Sequence, residues 1–465
     1  MRVDAERSSL TFVRPFLFDP ERADLALQLV STAKAASREA VMPVWERVPF
    51  PTADWLPHVA DFLVSSPGSP AVAEAFRLTN DFVQSESGLA AKGGFEFVPK
   101  RKAAPAVPLH LDELQIVLFR NGVGFVVQRW QVTSDSPAAW LDVQHYGRFA
   151  ALDRGGSLRR ANAPTGTAAT SFADLDARVL ACSDLGDGRK VPTRDVFISG
   201  RTLPYAVVFL TGSDDPEWPR EKVLYKLRRL FHATQTHHPD ADQLAVAPPH
   251  FVPYLKDQWF FHSLEGGGFA AADAPADDFF RNALPNHLET EYFLLFLFTL
   301  QQRFTLMDLS AEVARRWTSH PGERSRRHLR AVFEGIRDRL FDFTARYQFV
   351  QVVQRENHHR VYQAWRQTFQ TAELYDEVCG EVREMSEYLH DRDRQAADER
   401  VTRLTLLLTL MIGAPSLAIG FWNINISGIT STDGPSLWGA VGLVAAAALL
   451  FVGVFGLVWF LMRRR

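Results

Sequence analysis

Three kinds of apolar pattern succeed one another along this chain. In the first part, apolar and β-branched residues at 114–119 and 124–132 flank Asn121 and Gly122, which predicts two strands joined by a tight hairpin turn. A second β-rich stretch covers 195–210 and is followed by an amphipathic helical pattern near 217–233. Residues 154–171, rich in Gly, Ala, Thr and Ser, read as a loop, and 265–278 reads as a loop and a boundary. Residues 1–283 therefore predict an α/β domain with long loops.

Beyond residue 283 the period becomes helical. A helix is expected over 286–318, although its apolar core at 292–300 is too short to span a membrane. A long helical pattern covers 325–368, breaks near Gln370 and Thr371, and resumes over 372–422, which as one helix would measure ~75 Å. Its apolar positions Leu374, Val378, Val382, Met385, Leu389 and Ala396 share one face. Roughly 120° away lie Glu377, Glu384, Asp391 and Asp398, spaced by seven, with Glu381 and Gln395 between them. That line continues as Thr402, Thr405, Thr409, Gly413, Ser416, Gly420 and Asn423 within an arc of about 80°.

The third pattern is nearly continuous apolarity. Residues 404–462 hold no Lys or Arg and a single acid, Asp433. The runs at 404–421 and 437–462 are long enough to cross an apolar slab of ~30 Å, and Trp422 and Trp438 sit where interfacial aromatics belong. Two C-terminal transmembrane helices are thus expected, at 402–422 and 437–462, joined by a short external loop at 423–436. Arg400 and Arg403 precede the first, Arg463, Arg464 and Arg465 form a basic tail after the second, and the loop has no basic residue. Positive charge on that side predicts a multi-pass protein of the cell (inner) membrane with both termini cytoplasmic. The N-terminal residues are charged and lack the apolar core of a signal peptide. On this reading 1–283 is a cytosolic α/β domain and 284–401 comprises cytosolic long helices and a stalk.

Composition narrows the function further. A formal net charge of -3 argues against a nucleic-acid partner, and two cysteines, Cys182 and Cys379, argue against a disulfide framework. His232, His237, His238, Asp240 and Asp242 match no common zinc spacing and read as a helix end with a polar turn. His358 and His359 are adjacent on a charged helix and cannot share a face. Gly266, Gly267 and Gly268 lack the Lys-Ser/Thr of a phosphate loop. No nucleophile-base constellation stands out, so neither an enzyme nor a bound cofactor is expected. The aromatic residues Trp130, Trp140, Trp259, Phe260 and Phe261 read as core.

A polar and small stripe within a membrane helix must face protein or water. Two spans cannot enclose a pore, so several copies would surround an axis, with one helix of each lining it and each carboxylate repeated as a ring. Gly439, Gly442, Ala446 and Gly453 on the second span suit close packing against the first. This arrangement resembles the CorA-type transporters of divalent metal ions, in which the first span ends in Gly-Met-Asn. Here Gly420-Phe421-Trp422-Asn423-Ile424-Asn425-Ile426 stands in the same register: Asn425 matches the motif asparagine, Ile424 the methionine, and Asn423 replaces the glycine. Pro415 is displaced by one residue from the family's proline, and Ser427-Gly428-Ile429 is similar to the Gly-Gly-Ile of the zinc-transporting branch.

The resemblance implies a homopentameric divalent cation channel or transporter, for Mg²⁺ foremost, with Zn²⁺, Co²⁺ or Ni²⁺ as variants. Asn425 would hold the hydrated ion at the pore mouth, with Asn423 contributing outside it. Neutral amides suit Mg²⁺, which gives up its water reluctantly. Thr405, Thr409 and Ser416 would line the pore below, with Leu404 or Met411 as apolar constrictions. The acidic stalk Glu377, Glu384, Asp391 and Asp398 would bind the cation as a regulatory ligand. The alternative is a non-conducting, membrane-anchored metal sensor or scaffold with a CorA-like fold.

Overall fold

The computed structural model describes residues 1–423 apart from 37–40, 65–69, 86–93, 102–103, 152–153, 162–168, 197–199, 213–215, 237–238, 248–249 and 319–325. Beyond residue 423 it describes 430–431, 434–435, 442 and 453. The strands used below are β1 (Arg2–Val3), β2 (Ser9–Leu17), β3 (Lys34–Ala36), β4 (Val41–Pro43), β5 (Trp45–Val48), β6 (Ala73–Leu78) and β7 (Phe95–Pro99). They continue as β8 (Val107–Phe119), β9 (Val123–Val132), β10 (Gly156–Arg160), β11 (Leu203–Thr211), β12 (Phe251–Leu255), β13 (Gln258–Ser263) and β14 (Gly266–Ala272). The helices are α1 (Ala23–Thr32), α2 (Pro57–Leu63), α3 (Asn80–Ser85), α4 (Pro137–Gly147), α5 (Phe172–Ala181) and α6 (Arg220–Arg229). After them come α7 (Ala241–Leu244), α8 (Leu284–Glu289), α9 (Glu291–Thr318), α10 (Arg326–Arg346), α11 (Glu356–Thr368) and α12 (Thr371–Asn423).

Twelve of these strands form one sheet in the order β10-β7-β8-β9-β2-β11-β14-β13-β12, with β6 and β5 branching from β8 and β1 pairing with β11. Neighbours run antiparallel except β11 and β14, which are parallel. The expected hairpin is β8–β9. Its turn closes with the Gly122 N–H donating to the Phe119 carbonyl, and Gly122 has φ +91°, where a side chain would also strike the Phe18 carbonyl.

Alternation along the strands puts two apolar faces on the sheet. Phe12, Phe16, Leu114, Ile116, Val126, Trp130, Val208 and Ala270 pack with residues of α1, α4, α5 and α6 on one face. On the other, Phe125 meets Phe304, and Tyr205 meets Phe293 and Phe296 of α9, with α8 and α11 alongside. The result is a helix–sheet–helix sandwich. Helix α5 starts with a capping box in which Ser171 and Asp174 satisfy each other's backbone N–H groups. Gln370, at φ +53°, breaks the chain between α11 and α12 where the sequence pattern falters.

Compactness divides the chain into Met1–Val382 and Arg383–Arg465. The sheet and α1 to α11 belong to the first unit, and residue 283 lies inside it. Several local expectations change. Residues 156–160 of the expected loop form β10, and the 265–278 loop contains β14, a buried strand in the middle of the sheet. The glycines at its start allow this: a Cβ on Gly268 would lie 1.9 Å from the Ala206 carbonyl oxygen of β11. The long pattern over 325–368 divides into α10 and α11, separated by 347–355.

The larger correction concerns the C-terminus. Among the described residues no helix is long and apolar enough to cross a membrane. This overturns the expected pair of transmembrane helices, the multi-pass membrane placement with both termini cytoplasmic, and the ion-channel class drawn from them. Residues 402–422 are the end of α12, a helix of 53 residues whose side chains are charged as far as Arg403. The run at 437–462 lies outside the described residues except for 442 and 453.

Candidate functional site

Helix α12 carries most of the residues singled out by the sequence. Its first turns are anchored in the first unit: Thr371 and Val378 are buried, Ser310 Oγ donates to the Glu381 carboxylate at 3.3 Å, and the Tyr375 and Thr344 hydroxyls lie 3.1 Å apart. The four carboxylates of the expected acidic line, Glu377, Glu384, Asp391 and Asp398, are all exposed. Glu377 belongs to the first unit and the other three to the second. Asp391 has Arg394 at 4.0 Å, an exposed contact that counts for little in stability.

The expected pore-lining residues fall on the same helix, and the hydroxyls of Thr405 and Thr409 are already used. Thr405 Oγ1 donates to the Val401 carbonyl at 2.9 Å, and Thr409 Oγ1 donates to the Thr405 carbonyl at 2.8 Å. Thr402, Thr405 and Thr409 are exposed and Gly413 is partly so. Ser416 and Gly420 are helical in backbone, with side chains outside the described set. Asn423 ends α12, while Ile424 and Asn425 of the expected pore mouth lie outside the described residues.

The feature that stands out instead is apolar. Val401, Leu404, Leu408, Met411 and Ile412 are 61%, 59%, 57%, 67% and 65% exposed. At about 100° per residue they fall within an arc of roughly 100°, beside the Thr402/Thr405/Thr409 stripe. Leu406, 58% exposed, is on the opposite side. The signal was present in the sequence as spacings of three and four. It was masked there because an uninterrupted apolar run reads first as a membrane span.

Elsewhere, buried polar groups are held within the first unit. Asp142 of α4 accepts from the Ala233 N–H at 2.9 Å and from Arg101 at 2.7 Å, and His145 Nδ1 lies 2.6 Å from the Leu230 carbonyl. Burial pushes His145 down to about 4, so it is neutral near pH 7. His232 packs against the His145 and Tyr146 rings, while His237 and His238 lie outside the described residues. Among the described residues no group of three or more His, Cys, Asp or Glu side chains is placed to hold a metal ion.

No family model matches this chain, and neither a curated protein nor a solved structure matches it.

Proposed function

We propose that this protein is a non-enzymatic scaffold that assembles with copies of itself through α12. One observation carries the reading: the five-residue apolar stripe Val401, Leu404, Leu408, Met411 and Ile412 is open over most of its surface. Monomeric proteins rarely keep such a row on a helix, because every side chain left in water forgoes its transfer free energy. A second copy offers the same stripe, and symmetric pairing of identical patches is the commonest route to oligomers. With each of these side chains exposing on the order of 100 Å², two stripes face to face would bury about 1,000 Å², the lower bound for a specific interface.

The large sandwich serves on this reading as the platform, and α12 as its assembly element. The conducting alternative needs membrane-crossing helices and forms no part of this proposal. Divalent cations enter as modulators. Copies of α12 brought together bring Glu384, Asp391 and Asp398 together, and Mg²⁺ relieves the repulsion among them.

Sedimentation of the full chain tests both parts. Concentration-dependent association is expected, weakened at least tenfold by Leu404→Gln with Leu408→Gln and strengthened by millimolar Mg²⁺. A wild-type chain that stays monomeric at high micromolar concentration, or a double variant that associates unchanged, would sink the proposal.

A further inference from the structure

Where the β8–β9 turn meets the middle of α9, the helix buries polar side chains. Gln301 and Gln302 are fully buried and Thr305 is 3% exposed. Hydrogen bonds join them into one network. Thr305 Oγ1 accepts from Asn121 Nδ2 at 2.8 Å and from Gln301 Nε2 at 3.2 Å. Gln302 Nε2 donates to the Tyr347 carbonyl at 2.6 Å and to the Tyr362 hydroxyl at 3.1 Å. The Tyr347 hydroxyl accepts from the Asn121 backbone, which ties the two halves together.

The network is short of donors. Asn121 Oδ1 and the Oε1 atoms of Gln301, Gln302 and Gln348 are buried and accept no hydrogen bond. Turning the amides over does not cure this. Thr305 Oγ1 gives its own hydrogen to the Gln301 carbonyl at 2.8 Å, so it can only accept, and both amides must face it with nitrogen. The Tyr347 carbonyl fixes Gln302 in the same way. The oxygen and nitrogen of one amide are ~2.2 Å apart, so Asn121 Oδ1 and Gln301 Oε1 each lie within about 5.5 Å of Thr305 Oγ1. Unmet acceptors in a dry interior are costly, and native proteins rarely gather several in one place.

We infer that this network binds a monovalent alkali cation, held by Asn121 Oδ1 and Gln301 Oε1. A cation takes lone pairs and needs no acceptor in return, whereas a buried water brings lone pairs of its own that call for donors. These ligands are hard oxygens without charge. They suit K⁺ or Na⁺ rather than Ca²⁺ or Mg²⁺, whose sites draw on carboxylates. Water in the shell of the ion can turn its hydrogens to the oxygens of Gln302 and Gln348. Asn121 belongs to the sheet and Gln301 to α9, so the ion fastens one to the other. The site lies within the first compact unit and is independent of α12.

Urea unfolding of the full chain tests this in buffer freed of Mg²⁺ with EDTA. As KCl or NaCl replaces choline chloride at fixed ionic strength, the midpoint should rise saturably, with one alkali ion several-fold more effective than the other. Gln301→Leu and Asn121→Ser should each need at least tenfold more ion for the same rise. Gln144→Leu removes a buried, unpartnered amide of α4 outside the network and should leave the response unchanged. Equal midpoints in all three salts would mean that ordered water alone meets these oxygens, and would overturn the inference. So would an unaltered ion response in a folded Gln301→Leu chain. Should that variant fail to fold, an unaltered response in Asn121→Ser, which changes a turn residue at the edge of the network, overturns it equally.

Discussion

The His262 ring of β13 stands edge-on to the Trp365 indole of α11, with centroids 4.3 Å apart, and neither of its ring nitrogens has a hydrogen-bond partner. Complete burial holds its basicity down to about 3. The folded state therefore excludes a proton that the unfolded chain binds near the usual histidine value of ~6.5. Stability from this site is complete above about pH 6.5 and falls as the pH drops toward 3, by up to about 1.4 kcal/mol per unit. His262→Phe keeps a ring against Trp365 and removes both unmet nitrogens. It should raise stability at pH 7 by about 1 kcal/mol and flatten the acid limb, as read from urea midpoints at pH 7, 6 and 5. A variant less stable than wild type with an unchanged acid limb would contradict this.

Asp176 works in the opposite direction. It lies buried in α5, one oxygen accepting from Gln128 Nε2 at 2.7 Å and the other, without a hydrogen bond, 3.8 Å from Arg14. Burial outweighs Arg14 and Gln128 and raises the carboxyl to about 7. A raised carboxyl favours the neutral acid in the fold. Its contribution is complete below about pH 4 and is lost as the pH rises through 7. Asp176→Asn, which keeps an acceptor for Gln128, should be more stable than wild type at pH 8. Between pH 4 and 6.5 the two buried groups oppose each other, so single variants should tilt the stability profile in opposite senses. Parallel tilts in His262→Phe and Asp176→Asn would refute the assignment.

A third prediction concerns the strand read from sequence as a loop. Gly268 sits opposite Ala206 in the parallel β11–β14 pairing, at φ +153°, and a Cβ there would lie 1.9 Å from the Ala206 carbonyl oxygen. Backbone cannot yield as a flexible side chain can. Gly268→Ala should cost about 3 kcal/mol or more, whereas Gly188→Ala, strained at φ +69° but open in space, should cost about 1 kcal/mol. Chemical denaturation of the two variants side by side checks the ordering.

What the sequence revealed follows the strength of local signals. The β8–β9 hairpin was legible because Asn121 and Gly122 force a turn between β-branched runs, and α12 was legible because no proline follows Gln370 until Pro415, near its end. β14 was not legible, since three glycines and three alanines around a single Phe269 carry no strand signal of their own. Its place depends on Ala206 and Trp365, which lie distant in sequence. The apolar residues 404–421 were read as a membrane span because hydropathy reports what a segment avoids, not which surface it meets.

The last prediction tests what joins α9 to α10. Asp308, 5% exposed, has Arg194 at 2.5 Å, Arg339 at 3.0 Å and Arg315 at 3.6 Å, so one carboxylate serves three guanidinium groups from separate parts of the chain. Neighbouring Glu312 also pairs with Arg339 but is less buried. Asp308→Asn leaves the packing nearly unchanged and removes the shared counter-charge, so the cost should be large for an isosteric change, about 2–4 kcal/mol. Glu312→Gln, nearer to solvent, should cost under about 1 kcal/mol. Because Arg339 lies on α10, amide exchange in Arg326–Arg346 should accelerate in Asp308→Asn before the sheet strands do. Equal effects of the two substitutions, or exchange unchanged in α10, would show that hydrophobic contacts such as Phe343 and Leu340 hold the helix without this cluster.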